Sequence, residues 1–195
     1  MIIDISQEVF SSQVFPGDPA PVMDRVRTIG QNGKVCNMTA FSMCAHNGTH
    51  VDAPFHFIEN GATLTDVGLE PFVGDCCVVR YDGALTADTA HEILSRARAA
   101  GAADRILIAG QIVVTPEAAQ VFAGSEVKLL GIEGQCFGLG SGDHVHVHHI
   151  LLGAGLVLLE GAVLKDVAER KYFLSAAPLH LGHCEGAPCR AYLMG

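Results

Sequence analysis

The chain has 195 residues, 49% of them hydrophobic and only 17% charged, with a formal net charge of −9. That length fits one domain over residues 1–195, and the apolar share supplies a full core. An acidic chain without a basic face argues against nucleic acid as a partner, and no apolar run approaches the roughly 20 residues of a membrane span. Few charges and a mean hydropathy of +0.33 point to a buried interface in a homodimer or higher homo-oligomer. Seven cysteines without a Cys-x-x-Cys pair read as reduced thiols rather than a disulfide framework. With no secretion signal at Met1–Ser6, the expected location is cytoplasmic.

In chain order, Ile2 to Ser6 reads as a short strand and Phe15-Pro16-Gly17-Asp18-Pro19 as a turn. Val22 to Ile29 and Lys34 to Ala45 read as strands joined by a turn at Gly30–Gly33, and Gly74 to Tyr81, carrying Cys76-Cys77, as a buried strand. Thr86 to Ala100 is the clearest helix. Thr86 caps it, Ile93, Leu94 and Ala97 form its apolar stripe, and Gly101 stops it. Arg96, Arg98 and Arg105 read as a solvated face. Arg105 to Ala109 and Val127 to Ile132 are short apolar strands, with Thr115-Pro116 opening a helix between them. His148 to Gly153 reads as a short helix, and Leu156 to Glu160 and Tyr172 to Leu181 as strands. The expected fold is a mixed α/β domain with a curved or barrel-like sheet and a few flanking helices.

Residues 46 to 56 read His-Asn-Gly-Thr-His-Val-Asp-Ala-Pro-Phe-His. His46, His50, Asp52 and His56 offer imidazole and carboxylate, the donors that Zn²⁺ or Mn²⁺ takes. Gly48 and Pro54 preclude a regular helix, so the side chains must converge from a bent, extended segment turning at Asn47-Gly48. Cys44, two residues before His46, is a small packing residue or a thiol on the same face.

A catalytic ion needs ligands from a second segment. Asp143-His144-Val145-His146-Val147-His148-His149 and Glu160 offer them. His144 and His146 read as a solvated loop, and no role is assigned to His149. His148 would open a helix, while Glu160 ends an apolar strand where a carboxylate needs a partner, either an ion pair or a ligated cation.

The chain resembles the metal-dependent cyclase family, which includes bacterial kynurenine formamidases (arylformamidases) and isatin hydrolases. The pattern His-x-Gly-Thr-His-x-Asp-x-Pro-x-His is matched by His46, Gly48, Thr49, His50, Asp52, Pro54 and His56. Pro16-Gly17-Asp18, His148, Glu160-Gly161 and Gly186-Ala187-Pro188-Cys189-Arg190-Ala191 extend the likeness along the chain. The resemblance implies a swapped β/β/α barrel-like mixed sheet and a divalent cofactor, one or two ions of Zn²⁺ or Mn²⁺. It implies that His46, His50 and Asp52 hold one ion, and that Asp52, His148 and Glu160 hold the other. His56 would stand beside the bound water as the proton relay.

The implied chemistry is hydrolysis of a small amide, foremost N-formyl-L-kynurenine, with Phe15 and Asp18 near the substrate. Hydrolysis of a cyclic amide or lactone, or a metal-dependent lyase or cyclase reaction, are the alternatives. A non-catalytic metal-binding protein would not require His56.

Overall fold

The computed structural model describes residues 1–139 and 142–195. Its strands and helices run β1 (Ile2–Asp4), β2 (Val22–Arg27), β3 (Met38–Ser42), β4 (His50–Asp52), α1 (Leu64–Val67), β5 (Val73–Arg80), β6 (Gly83–Leu85), α2 (Ala87–Ala99), β7 (Arg105–Ala109), β8 (Ile112–Val114), α3 (Pro116–Ala123), β9 (Leu129–Ile132), α4 (His144–Gly153), β10 (Val157–Glu160), β11 (Arg170–Ser175), β12 (Gly186–Pro188) and β13 (Tyr192–Met194). Nine strands form one curled mixed sheet in the order β1-β13-β11-β5-β7-β9-β10-β4-β12.

The middle of this sheet is parallel, β5-β7-β9-β10, and each step is bridged by one of α2, α3 and α4. Parallel neighbours need such crossovers, and the three helices cover one face of the sheet. Ile93, Leu94 and Ala97 of α2 bury there with Phe122 of α3 and Leu151 of α4. A second apolar cluster, including Val51, Phe72, Leu107, Leu159, Leu174 and Leu193, fills the other face as the sheet curls. Both Cys76 and Cys77 are buried in β5, one in each cluster.

Local chemistry sets the helix ends as expected. The Thr86 hydroxyl accepts from the Thr89 amide at 3.3 Å, and the Thr115 hydroxyl accepts from the Ala118 amide ahead of Pro116. Each cap is worth about 1 kcal/mol. Gly101, with φ +64°, ends α2 in the left-handed region that glycine tolerates.

Three expectations are corrected. The helix around His148 begins at His144, so His144 and His146 lie on α4 rather than in a solvated loop, and His148 sits one turn inside it. Alternating His and Val disguises a helix whose Val147, His148, Leu151 and Leu152 share one buried face. Arg105 is not solvated. It lies on β7 only 6% exposed, its Nε donating to the Pro71 carbonyl at 2.8 Å and its Nη1 to that of Asp75 at 3.3 Å. The strand from Tyr172 starts two residues earlier and ends at Ser175 rather than Leu181.

The hairpin of β2 and β3 stands apart from the main sheet, and every residue of both strands is exposed. No helix among the described residues is long and apolar enough to cross a membrane.

Candidate metal centre

β4 lies between β10 and β12, antiparallel to both. This places the motif beside the C-terminal end of a parallel strand, where open α/β sheets gather their ligands. His50 and Glu160 are register partners, as are Asp52 and Leu158. The turn entering β4 uses Gly48 at φ +68° and is closed by the Asn47 carboxamide oxygen, which accepts from the Cys44 amide at 2.8 Å. Thr49 then ties the turn down. Its hydroxyl donates to the Gly161 carbonyl at 2.6 Å and accepts from the Gln7 amide at 2.9 Å.

Two imidazoles are oriented by backbone carbonyls. Nδ1 of His50 lies 3.0 Å from the Gly48 carbonyl, and Nδ1 of His148 lies 2.7 Å from that of His144. A proton on each Nδ1 satisfies those carbonyls and leaves Nε2 as the free donor atom, the usual outer support of a metal-binding histidine. Both Nε2 atoms point toward Glu160, at 3.3 Å from Oε2 for His50 and 3.3 Å from Oε1 for His148. The Phe137 amide also donates to Oε1 at 2.8 Å. On the other side, Nδ1 of His46 is 2.9 Å from Oδ1 of Asp52, and the His46 ring stacks on His56 with centroids 4.1 Å apart.

These groups form three overlapping sets whose donor atoms all lie within 4.8 Å of one another: His46, Asp52 and His56; His50, Asp52 and Glu160; Cys136, His148 and Glu160. Asp52 and Glu160 are the shared members. All five residues expected as ligands therefore meet in one cluster, and His56, expected beside it, belongs to the first of the three sets. Cys136 and Gln135 went unread in the sequence. The available signal was their place just after the apolar strand β9, which neither residue type makes specific.

Electrostatics and burial mark the cluster as built for a cation. Asp52 is fully buried, which alone would raise its pKa. The His46 hydrogen bond and the field of His50, His46 and His56 outweigh burial and hold it well below the usual carboxylate range. Burial likewise opposes charge on His46, but Asp52, Glu160 and Glu185 raise it to about 9. His50 and His148 are raised against the same burial by Glu160 and Asp52. His56 goes the other way: burial lowers it, aided by the positive field of His46 and His148.

Nε2 of His46 and Nε2 of His50 make only long carboxylate contacts, 3.4 Å to Glu185 and 3.3 Å to Glu160, that fall short of hydrogen bonds, and Oδ2 of Asp52 is buried without a hydrogen-bond partner. Leaving such atoms unpaired costs about 1–3 kcal/mol each. Unsatisfied nitrogen and carboxylate donors converging at these distances fit a divalent ion, which satisfies them together.

Beside the cluster lies a cavity of about 180 Å³. Phe15 and Asp18 line it, together with Phe57, Gln135, Cys136 and His144. Phe57 stacks on His148 with centroids 4.5 Å apart. His146 and His149 are exposed on α4. Cys44 is half-buried, its Sγ 3.9 Å from Asp18, and burial raises its pKa. Glu133 is consumed structurally, accepting from the Gly110 amide at 2.7 Å and the Leu164 amide at 2.9 Å.

Residues 3–137 match the family model described as "Putative cyclase". The chain is similar to the kynurenine formamidase of Paracidovorax citrulli, at 34% identity over 99% of this chain and 96% of that one. It resembles a solved structure described as a potential metal-dependent hydrolase with cyclase activity, at 27% identity and a TM-score of 0.81, covering 99% of this chain and 96% of the other. The fold also matches isatin hydrolase A of Labrenzia aggregata, with a TM-score of 0.81 at 22% identity over 99% of this chain and 93% of that one.

Proposed function

The chain belongs to the cyclase family, a family that includes metal-dependent hydrolases, and from that premise we propose that it hydrolyses an N-formyl aryl amide, N-formyl-L-kynurenine, to the free amine and formate. The observation that carries this reading is the meeting of His46, His50 and Asp52 with His148 and Glu160, about a hundred residues away in sequence, beside one small cavity. We take residues 1–195 as a single domain of this type, working in the cytoplasm in tryptophan breakdown.

His46, His50, Asp52, His148 and Glu160 would hold Zn²⁺ or Mn²⁺, as one ion or as two that share Asp52. Such an ion polarises a carbonyl and lowers the pKa of water toward about 7. The protein's own groups supply the rest. The fixed Nε2 atoms of His50 and His148 keep the centre rigid, so little reorganisation accompanies reaction. His56, whose pKa burial lowers, would accept the proton of the attacking water and return it to the departing nitrogen. Phe15 and Phe57 offer apolar faces to an aryl ring, and Asp18 offers a carboxylate to the substrate's amino group.

The protein acts as a homodimer in this reading. The unaccompanied hairpin exposes Val22, Met23, Val26, Met38 and Phe41, and an isolated two-stranded ribbon is marginal in water. A groove of about 660 Å³ at its base, lined by Phe10, Phe41, Met43 and Leu179, offers a matching apolar surface. Formate release from N-formyl-L-kynurenine, with and without metal, tests the function.

A further inference from the structure

We propose that Cys136 is itself a ligand of the ion held by His148 and Glu160, so that the centre selects Zn²⁺ over Mn²⁺. The inference rests on the metal-dependent reading above and adds a donor that the histidine and carboxylate motif does not contain.

Geometry carries the argument. Cys136 sits in the turn after β9, and that turn is pinned to the site because the next residue, Phe137, donates its amide to Oε1 of Glu160 at 2.8 Å. The Cys136 Sγ, a ring nitrogen of His148 and a carboxylate oxygen of Glu160 all lie within 4.8 Å of one another. Bond lengths of 2.0–2.3 Å around a tetrahedral ion put its ligand atoms roughly 3.5 Å apart. A side-chain adjustment of about an ångström therefore closes the set. No other cysteine among the described residues joins a metal-capable set.

The surroundings are those of a ligand rather than of a packing thiol. Cys136 is half-buried and lines the cavity among imidazoles and carboxylates, whereas Cys76 and Cys77 are buried within β5. Its hydrogen-bond contact is a weak one to the Phe137 carbonyl at 3.5 Å. Its neighbour Gln135 lines the same cavity nine-tenths buried, with both carboxamide atoms unpartnered.

On ligation the thiol gives its proton to solvent and binds as thiolate, with no change in oxidation state. Cys136 would then join His148, Glu160 and the shared Asp52 as a further protein donor to the ion. A thiolate is a soft donor, which favours Zn²⁺ and disfavours Mn²⁺ relative to an all-nitrogen and oxygen site.

The test is cobalt substitution. Metal-stripped wild-type protein and Cys136→Ser are each titrated with Co²⁺ and followed by absorption. The wild type should show visible d–d bands and a near-ultraviolet sulfur-to-cobalt charge-transfer band, and the variant should keep the first and lose the second. Visible bands without the charge-transfer band in wild type would overturn ligation by Cys136 and leave the metal centre standing. A charge-transfer band that survives in Cys136→Ser would also overturn it. Absence of any cobalt uptake would overturn both readings. Wild-type protein provides a check free of folding effects: Zn²⁺ should protect Cys136 from alkylation by iodoacetamide, as read by peptide mass. Unchanged alkylation of Cys136 in the zinc-loaded protein contradicts the proposal.

Discussion

His50 and Glu160 face each other as Cα partners across the antiparallel β4–β10 pair, with Nε2 of His50 3.3 Å from Oε2 of Glu160. One backbone register thus joins the motif to its distant carboxylate, and a slip by one residue would send one of the two side chains to the opposite face. The Glu160→Gln variant keeps the shape and removes the charge. Removing an outer partner of a metal ligand costs 10- to 100-fold in affinity, so losing this carboxylate should weaken metal uptake by at least about 100-fold. Calorimetric titration, with circular dichroism confirming the fold, checks it.

His56 separates proton transfer from metal retention. It stacks on His46, yet its proposed role is to carry a proton. The His56→Ala variant should bind metal like the wild type while kcat falls about 10²- to 10⁴-fold. Metal content by elemental analysis alongside turnover decides the matter, since loss of the ion would make His56 a ligand.

Without metal, His46 is held protonated up to about 9, against an ordinary 6.5, because Asp52, Glu160 and Glu185 outweigh its burial. A raised pKa contributes stability that is full below 6.5 and disappears as pH rises through about 9. The melting temperature of metal-free protein should therefore fall between those pH values. Protons and metal compete for His46, so the rise in melting temperature on adding Zn²⁺ should grow across the same window. Thermal scans in chelator and in Zn²⁺ would reveal either trend.

Gly161 follows Glu160 at φ +67°, and a methyl group there would meet the Gly48 carbonyl at 2.6 Å and Nε2 of Gln7 at 2.7 Å, as well as Gln135. The two glutamine ends can swing aside, but the Gly48 carbonyl is backbone and cannot. Gly161→Ala should lose about 2 kcal/mol or more of stability in urea unfolding.

The exposed hairpin supplies the test of assembly. Light scattering should give the mass of a dimer, and Phe41→Asp, which puts a charge on an apolar strand face, should shift it toward monomer without loss of secondary structure.

Much of the core was legible because its signals are local. The α2 stripe, its Thr86 cap and the Arg105–Ala109 strand follow from periodicity and capping chemistry alone. What escaped is non-local or masked. Arg105 looks like a surface cation until the stretch from Glu70 to Asp75 places three backbone carbonyls around it. The first turn of α4 hides behind alternating His and Val, which reads as loop until Val147 and His148 are seen to share a face with Leu151 and Leu152. The motif announced His46, His50 and Asp52 through its spacing, but Cys136 and Gln135 reach the site only through the β9–β10 pairing, which no local pattern encodes.

Metal-dependent hydrolysis is tested by formate release from N-formyl-L-kynurenine by metal-stripped protein, before and after Zn²⁺ or Mn²⁺ is restored. No formate should appear until metal returns, and the restored turnover should be lost in His56→Ala while its metal content stays intact. Equal turnover with and without metal would show that the His46, His50, Asp52, His148 and Glu160 cluster does not work through a metal ion.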